Sequence, residues 1–259
     1  MDFQIASDLH LEFRGIEAAP ASALPKRKAP LLVLAGDLCP VVEPGFADAL
    51  AAVAEPFDAV LYVPGNHEHY GGASTEDADR EIERICFSRM RNVVFMNKRR
   101  VDIGGFAYIG ATLWTNCPDD ASPLNDFNNI DGGRFTPTKM NALHRDHRDY
   151  IKGAVRQAKR DGCLGAVVIT HHAPDRKLAS HGIGGAGGRS RGALTPYYFA
   201  SDMGDVIRDP FVQVWIHGHT HESYRMTDHA SGTIFASNAL GYPGERTGYS
   251  NGGAVLRLV

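Results

Sequence analysis

The sequence predicts an α/β fold, because short apolar runs alternate with segments of helical composition. The first three runs are FQIAS (residues 3–7), PLLVLAG (residues 30–36) and AVLYVPG (residues 59–65), and each ends in turn residues. Polar side chains suited to ligand binding follow all three runs at regular spacing. Buried parallel strands joined by helices account for both observations.

The remaining segments extend this pattern along the chain. Residues 45–58 are helical in composition and reach Pro56, and residues 74–90 predict a second helix with Ser74 as its N-cap. Residues 93–114 contain strands separated only by short turns, Gly104-Gly105 among them, which indicates an antiparallel meander. An amphipathic helix is expected over residues 138–162, followed by strands over residues 165–170, 211–218, 232–238 and 252–259.

Composition favours one soluble cytoplasmic domain over residues 1–259. The chain is 43% hydrophobic and 22% charged, and its net charge of -3 provides no basic field for nucleic acid, so a nucleic-acid partner is not expected. No stretch approaches the roughly 20 apolar residues of a membrane span, so no membrane partner is predicted either. The 4 cysteines are far apart without a Cys-x-x-Cys pair, which argues against a thiolate zinc site. The sequence does not predict an oligomeric state.

Polar residues after the first three strands predict a common site. Asp8 and His10 follow the first, Asp37 the second, and Asn66 and His67 the third. Asp8, Asp37 and Asn66 are 29 residues apart in each step (8, 37, 66), about one strand-helix-strand unit. These groups should therefore emerge at one edge of a parallel sheet. Asp8 and His10, two apart in an extended chain, are expected to point to the same face.

Two later strands add imidazoles, because His171 follows one and His219 and His221 follow another. Two carboxylates, an amide oxygen and several imidazoles without thiolate suit two divalent ions such as Mn, Fe or Zn. Mg or Ca alone would be expected to require more carboxylates. Two ions roughly 3.5–4 Å apart can hold a hydroxide and stabilise in-line displacement at phosphorus. The pattern therefore indicates phosphoester hydrolysis.

The motifs SDLH, GD, GNHE, THHAP and GHTH, in this order over residues 8–221, resemble those of the calcineurin-like metallophosphoesterases. The resemblance implies a four-layer αββα sandwich, with two facing mixed sheets flanked by helices. It implies a bridging hydroxide as nucleophile and His67 as proton donor or transition-state stabiliser. It also implies two sets of metal ligands: Asp8, His10 and His221 for the first ion, Asn66, His171 and His219 for the second, and Asp37 bridging both.

Each residue also has a structural alternative. Asp8, Asp37 and Asn66 are common turn or cap residues, and only their joint order favours the site. His172 and His217 are expected to be structural or to support the ligands, and His69 lies in the pocket or on a surface turn. His144 and His147 have helical i, i+3 spacing, but charged neighbours indicate a solvated helix face.

Candidate substrate-binding residues lie in two loops. The loop over residues 115–135 is a candidate lid; it and the residues just before it offer Trp114, Asn116, Asn125, Asp126 and Phe127, and Asn66 also contacts substrate in this interpretation. The glycine-rich loop over residues 180–195 carries Arg189 and Arg191, which could neutralise phosphate. The alternative for the first loop is a plain connection, and the alternative for the glycine-rich loop is a mobile flap. Related sequences often carry an Arg at position 240. This chain has Leu240 there and therefore lacks one phosphate-binding cation.

The predicted function is hydrolysis of small or nucleotide-like phosphodiesters. Leu38-Cys39-Pro40 follows Asp37, whereas related protein Ser/Thr phosphatases carry a phosphate-gripping Arg there, so that class is not expected. A broad phosphomonoesterase is one alternative. A non-catalytic metal-binding scaffold is an alternative of another class, although the chain keeps every motif residue.

Overall fold

The computed structural model describes residues 2–16, 19–118, 124–182 and 195–258, and within them it has the predicted α/β architecture. The strands are β1 (Asp2–Ala6), β2 (Leu31–Ala35), β3 (Ala59–Val63), β4 (Val93–Phe95), β5 (Arg99–Ile103), β6 (Phe106–Ala111), β7 (Gly165–Thr170), β8 (Val212–Ile216), β9 (Ser223–Thr227), β10 (Ile234–Asn238) and β11 (Ala254–Arg257). The α-helices are α1 (Phe46–Ala54), α2 (Thr75–Arg89), α3 (Asn125–Asn129), α4 (Pro137–Arg160), α5 (Arg176–Gly182), α6 (Thr195–Phe199) and α7 (Gly204–Ile207).

Two mixed sheets form the centre of the fold. The first has the order β11-β1-β2-β3-β4 and the second the order β5-β6-β7-β8-β10-β9. Strands β1 to β4 are parallel and β11 runs antiparallel at the edge. In the second sheet β6, β7, β8 and β10 are parallel, with β5 and β9 antiparallel at its edges. The carboxyl ends of the parallel strands in each sheet therefore share one edge.

The two sheets and the helices outside them form four layers, with a hydrophobic core between each pair of adjacent layers. The core between the sheets contains Phe3 and Val33 from the first sheet and Tyr108 and Val167 from the second, all 0% exposed. Helices α1 and α2 pack on the outer face of the first sheet through Leu50 and other apolar residues, and α4 packs on the second. This arrangement is the predicted four-layer αββα sandwich. No helix in the described ranges has both the length and the apolar character to cross a membrane.

The predicted antiparallel meander over residues 93–114 is only partly correct. The hairpin of β5 and β6 turns at Gly104-Gly105 as expected. Strand β4, however, belongs to the first sheet and runs parallel to β3. It follows α2 and therefore completes a strand-helix-strand unit, after which the chain crosses to the second sheet. Strand β9 was not predicted; three of its five residues are exposed, so it lacks the apolar run of the other strands.

Helices α2 and α4 begin at side-chain caps. Ser74 accepts a hydrogen bond from the Asp77 backbone N–H, as predicted, and Thr136 caps α4 through Lys139. The prediction that His144 and His147 lie on a solvated face of α4 is wrong, since they are 5% and 2% exposed. His144 Nδ1 donates to Leu113 O at 3.1 Å, and His147 Nδ1 accepts from Leu113 N at 3.1 Å. They provide hydrogen-bond partners for the irregular backbone after β6. The helical pattern alone does not reveal this contact.

Burial of His147 predicts acid sensitivity. Desolvation lowers the pKa of His147 to about 4, so between this value and the ordinary 6.5 the unfolded chain binds a proton that the folded chain does not. The free energy of unfolding therefore falls as pH falls through this window. From pH 7 to pH 5 we expect this group to contribute a loss of about 2 kcal/mol. Urea titrations at the two pH values measure the loss.

His147→Gln, which keeps an acceptor for Leu113 N–H, should reduce this pH dependence. The matched control is His229→Gln, at an exposed histidine. An equal pH dependence in wild type and His147→Gln would contradict the prediction.

Candidate metal centre

The two sheets meet at the ends of their parallel strands. Ser7, just after β1, bridges to Ala239, just after β10, and Leu240 N donates to Ser7 O at 3.1 Å. The segments that follow β1 and β2 stay paired, with Asp8 N donating to Gly36 O at 2.9 Å and His10 N to Asp37 O at 3.0 Å. Loops from both sheets therefore enclose one polar cluster.

The convergence of Asp8 and His10 has a different cause from the predicted one. Strand β1 ends at Ala6, and the φ angles of Asp8 and His10 are 54° and 45°, in the left-handed region rather than the extended one. Asp37, His219 and His221 also have positive φ, at 56°, 67° and 53°. Non-glycine residues seldom adopt this conformation, which costs of order 1–3 kcal/mol each. Strain of this kind is concentrated at the cluster.

The first group of candidate ligands is Asp8, His10, Asp37 and His221. His10 Nε2 lies 3.1 Å from His221 Nε2 and 3.6 Å from Asp37 Oδ2. His221 Nε2 lies 3.5 Å from Asp8 Oδ1. Two ligand atoms about 2.1 Å from one ion are roughly 3.0–3.5 Å apart at octahedral or tetrahedral angles. The spacing thus fits one metal ion.

The second group is Asp37, His171 and His219. His171 Nε2 lies 3.3 Å from Asp37 Oδ2 and 3.1 Å from His219 Nδ1. Asn66 Oδ1 joins this group, 3.0 Å from His171 Nε2. Asp37 belongs to both groups and is 1% exposed. Burial alone would raise the pKa of Asp37, but the charges of His171 and His67 lower it well below its usual range.

Buried oxygen atoms and close backbone approach also fit a cation site. Asp8 Oδ2 is buried and has no hydrogen-bond partner among the residues that the structure describes. A Cβ at Gly65 would lie 2.1 Å from Asp37 Oδ1, and one at Gly218 would lie 2.6 Å from Asp8 Oδ2. Glycine is therefore required at both positions to leave space for the carboxylates. An uncompensated buried carboxylate oxygen is costly unless a cation binds it.

His67 lies beside the first group and is held by Glu12. His67 Nδ1 is 2.8 Å from Glu12 Oε1, which also lies 3.1 Å from His10 Nδ1. Burial opposes protonation of His67, but Asp37 and Glu12 raise its pKa to about 8. An ionised carboxylate only accepts hydrogen bonds, so Nδ1 carries the proton and Nε2 faces the other way. Sequence reasoning missed Glu12, although SDLHLE places it two residues after His10.

Asn66 is oriented from the loop that was predicted as a lid. Its Nδ2 donates to Asp126 Oδ1 at 2.8 Å, and Tyr70 Oη donates to the same oxygen at 2.7 Å. Since Nδ2 is engaged in this way, Oδ1 of Asn66 faces the cluster. Asp126, on α3, is 6% exposed. Asp126 is one of the candidate substrate contacts, and in the structure its carboxylate accepts a hydrogen bond from the Asn66 amide.

Two further carboxylates that sequence reasoning left without a role support the cluster. Glu68, 0% exposed, accepts from the backbone N–H groups of Asp37, Leu38 and Gly65 at 3.0, 2.7 and 2.7 Å. It therefore ties the loops after β2 and β3 together. Glu245 Oε2 lies 2.6 Å from His221 Nδ1 and fixes that ring from outside, as carboxylates commonly do for metal-binding histidines.

The structure places several other candidates in supporting positions. His172 is 0% exposed and packs 4.2 Å from the His219 ring, and His217 Nδ1 lies 2.9 Å from Gly218 O. His69 is 1% exposed and bonded to Gly65 O, so it is not on a surface turn. Trp114 is 1% exposed and packs against His69 and His172 rather than facing the exposed side of the cluster, as a substrate contact would require.

The remaining substrate candidates differ in position. Asn116 is exposed, and its backbone N–H donates to Ser201 Oγ at 3.0 Å. Asn125 and Phe127 lie on α3 with Asp126. Leu240 packs against the core between α1, α2 and the first sheet. Arg189 and Arg191 lie outside the described residues.

The fold and the cluster together define a class of protein, an αββα sandwich with a His/Asp site able to bind metal where its two sheets meet. The sequence profile of the calcineurin-like phosphoesterases matches residues 1–223, so the chain belongs to this family of metal-dependent phosphoesterases. Uncharacterized protein L509 of Acanthamoeba polyphaga mimivirus is 27% identical, with 94% of this chain and 92% of that protein covered.

Two solved structures are also similar. The Mycobacterium tuberculosis phosphopantetheinyl hydrolase PptH has a TM-score of 0.68 at 16% identity, over 93% of this chain and 89% of its own. Sulfate thiohydrolase SoxB of Thermus thermophilus has a TM-score of 0.43 at 14% identity, over 86% of this chain and 34% of its own. At these identities, the likeness to PptH shows a shared fold.

Proposed function

We propose that this protein hydrolyses small phosphodiesters, nucleotide-like esters among them, with two divalent ions of the Mn, Fe or Zn type. The observation that carries the proposal is the Asp37 carboxylate, which belongs to both ligand groups. Asp8, His10, Asp37 and His221 would hold one ion, and Asp37, Asn66, His171 and His219 the other. When bound, two such ions supply a hydroxide nucleophile and neutralise charge on the phosphoryl group.

His67 supplies the proton that the leaving oxygen needs. Glu12 accepts from Nδ1 and therefore directs Nε2 of His67 away from Glu12, toward the Tyr242 hydroxyl. Tyr70 stacks on the His67 ring, with centroids 4.2 Å apart, and restricts its rotation. Imidazole, whose ordinary pKa is about 6.5, is well suited to give up a proton near neutral pH.

Two observations favour a diester with an apolar leaving group. Phe13 is 55% exposed, and its ring lies 6.0 Å from that of His10 and 6.3 Å from that of His67. It offers a hydrophobic or aromatic contact, such as a nucleobase provides, at the rim of the site. At position 240 the loop after β10 carries a partly buried leucine rather than a cation, and one cation fewer at this position favours a diester over the more highly charged monoester.

The test is hydrolysis by metal-stripped protein to which Mn, Fe, Zn or nothing is added back. The substrates are a bis-aryl phosphate, the matching aryl monoester, a cyclic nucleotide and a phosphopantetheinyl ester, the last because a structural neighbour is named for that group. We expect hydrolysis only with metal, faster turnover of the diesters, and a loss in kcat of about 10² in His67→Asn.

The exposed His229 provides the matched control, since His229→Asn should keep wild-type kcat. Faster hydrolysis of the monoester would support the phosphomonoesterase alternative instead. Binding of two ions per chain without hydrolysis of any ester would contradict the proposal and support a scaffold.

A further inference from the structure

Tyr242 contacts His67 at Nε2, the ring nitrogen that Glu12 does not hold. Its phenol oxygen lies 3.1 Å from His67 Nε2. Its ring packs against His10 and His221, with centroid distances of 4.5 and 4.6 Å. The hydroxyl therefore adjoins the proposed proton donor, and the ring adjoins two candidate ligands of the first ion.

The contacts that orient the cluster also fix Tyr242. Its backbone N–H donates to Glu245 Oε2 at 2.8 Å, the same oxygen that holds His221. The preceding residue, Gly241, has φ +73° and donates through its N–H to Asp8 O at 2.9 Å. Glycine fits this conformation readily, and a Cβ there would lie 2.5 Å from Glu245 Oε2. Tyr242 therefore belongs to the same rigid arrangement as Asp8 and His221.

The position of the hydroxyl has a chemical consequence. A leaving oxygen that approaches His67 Nε2 for its proton also comes within reach of the Tyr242 hydroxyl, because the two atoms are 3.1 Å apart. A phenol both donates and accepts hydrogen bonds, so it can contact His67 and the leaving oxygen together. A phenol, whose ordinary pKa is about 10, carries its proton at neutral pH and can therefore act as a donor.

We propose that Tyr242 is a catalytic residue whose hydroxyl donates a hydrogen bond to the ester oxygen that leaves phosphorus. As the P–O bond breaks, its electron pair passes to that oxygen, and the hydrogen bond from Tyr242 stabilises the developing charge. His67 then supplies the proton that completes the alcohol, and Tyr242 retains its own. This inference rests on the proposed phosphodiesterase function.

Tyr242→Phe tests the role with a series of aryl methyl phosphates at saturating Mn. The nitro groups of dinitrophenolate stabilise the negative charge that forms on the leaving oxygen. Unsubstituted phenolate lacks them, so the enzyme must stabilise this charge. We expect kcat to fall less than about twofold for the dinitrophenyl ester and about tenfold for the phenyl ester, the value of one hydrogen bond. Tyr242→His, which retains a ring N–H donor, should recover part of the loss for the phenyl ester.

Tyr150→Phe is the matched control, because Tyr150 lies on α4 and packs against the core on the outer face of the second sheet, away from the cluster. It should leave kcat unchanged for every ester. An equal loss for all esters in Tyr242→Phe, or no recovery in Tyr242→His, would overturn the role of Tyr242 alone. A wild-type protein that hydrolyses none of these esters with metal would instead overturn the proposed function.

Discussion

Asp37→Asn should reduce the number of tightly bound divalent ions from two to one and lower kcat for phosphodiesters by about a thousandfold or more. The amide has nearly the shape of the carboxylate and retains Oδ1, which accepts from the His67 backbone N–H at 2.9 Å. It loses the charge and the second anionic oxygen that two ions would share. A bound ion contributes several kcal/mol of charge stabilisation, and each 1.36 kcal/mol is a factor of ten in rate.

Isothermal titration with Mn gives the stoichiometry, and diester hydrolysis gives kcat. The control is Asp58→Asn, the same chemical change at a side chain that is 64% exposed and paired with Arg27. It should bind two ions and retain wild-type activity. Two ions bound with wild-type affinity in Asp37→Asn would show that Asp37 does not bridge them.

Glu68→Gln should destabilise the protein by about 3 kcal/mol or more. Both oxygens of Glu68 accept hydrogen bonds, from three backbone N–H groups and from Tyr62 Oη at 2.7 Å. Burial and the charge of Asp37 raise the pKa of Glu68, yet four converging donors leave no acceptor for a proton on it. A glutamine amide would turn its own N–H groups toward two of these donors, and both would lose their partner.

Urea denaturation of the metal-free protein measures this effect apart from metal binding. Glu81→Gln is the matched control, because Glu81 is 43% exposed and pairs with Arg84 on α2. Exposed ion pairs contribute about 0–1 kcal/mol, so its free energy of unfolding should change little. Equal stability of Glu68→Gln and wild type would show that the loops after β2 and β3 are held by other contacts.

The predicted ligands and the neighbouring supports differ in how they appear in the sequence. Asp8, Asp37 and Asn66 each follow an apolar strand, so local pattern places them at one sheet edge without knowledge of the packing. Glu12, Asp126 and Glu245 act through side chains that cross from one loop to another. Asp126 reaches Asn66 over 60 residues of sequence, and no periodicity indicates such a contact.

Two incorrect predictions show the limits of local pattern. Charged neighbours of His147 predicted a solvated face, yet the helix turns that side toward the irregular backbone at Leu113. Residues 93–95 are a short apolar run before a hairpin, and only their pairing with β3 places them in the first sheet. In both cases the deciding contact lies in a distant segment.

By itself, the sequence determined the α/β alternation, the order of the motifs and the kinds of ligand atoms available, because strand and helix periodicity and residue chemistry are local properties. Only the tertiary structure decided that His10 and His221, 211 residues apart, approach within 3.1 Å, since this depends on how the two sheets meet. It also decided the left-handed backbone at Asp8, His10 and Asp37. Such strained conformations persist only when surrounding contacts impose them.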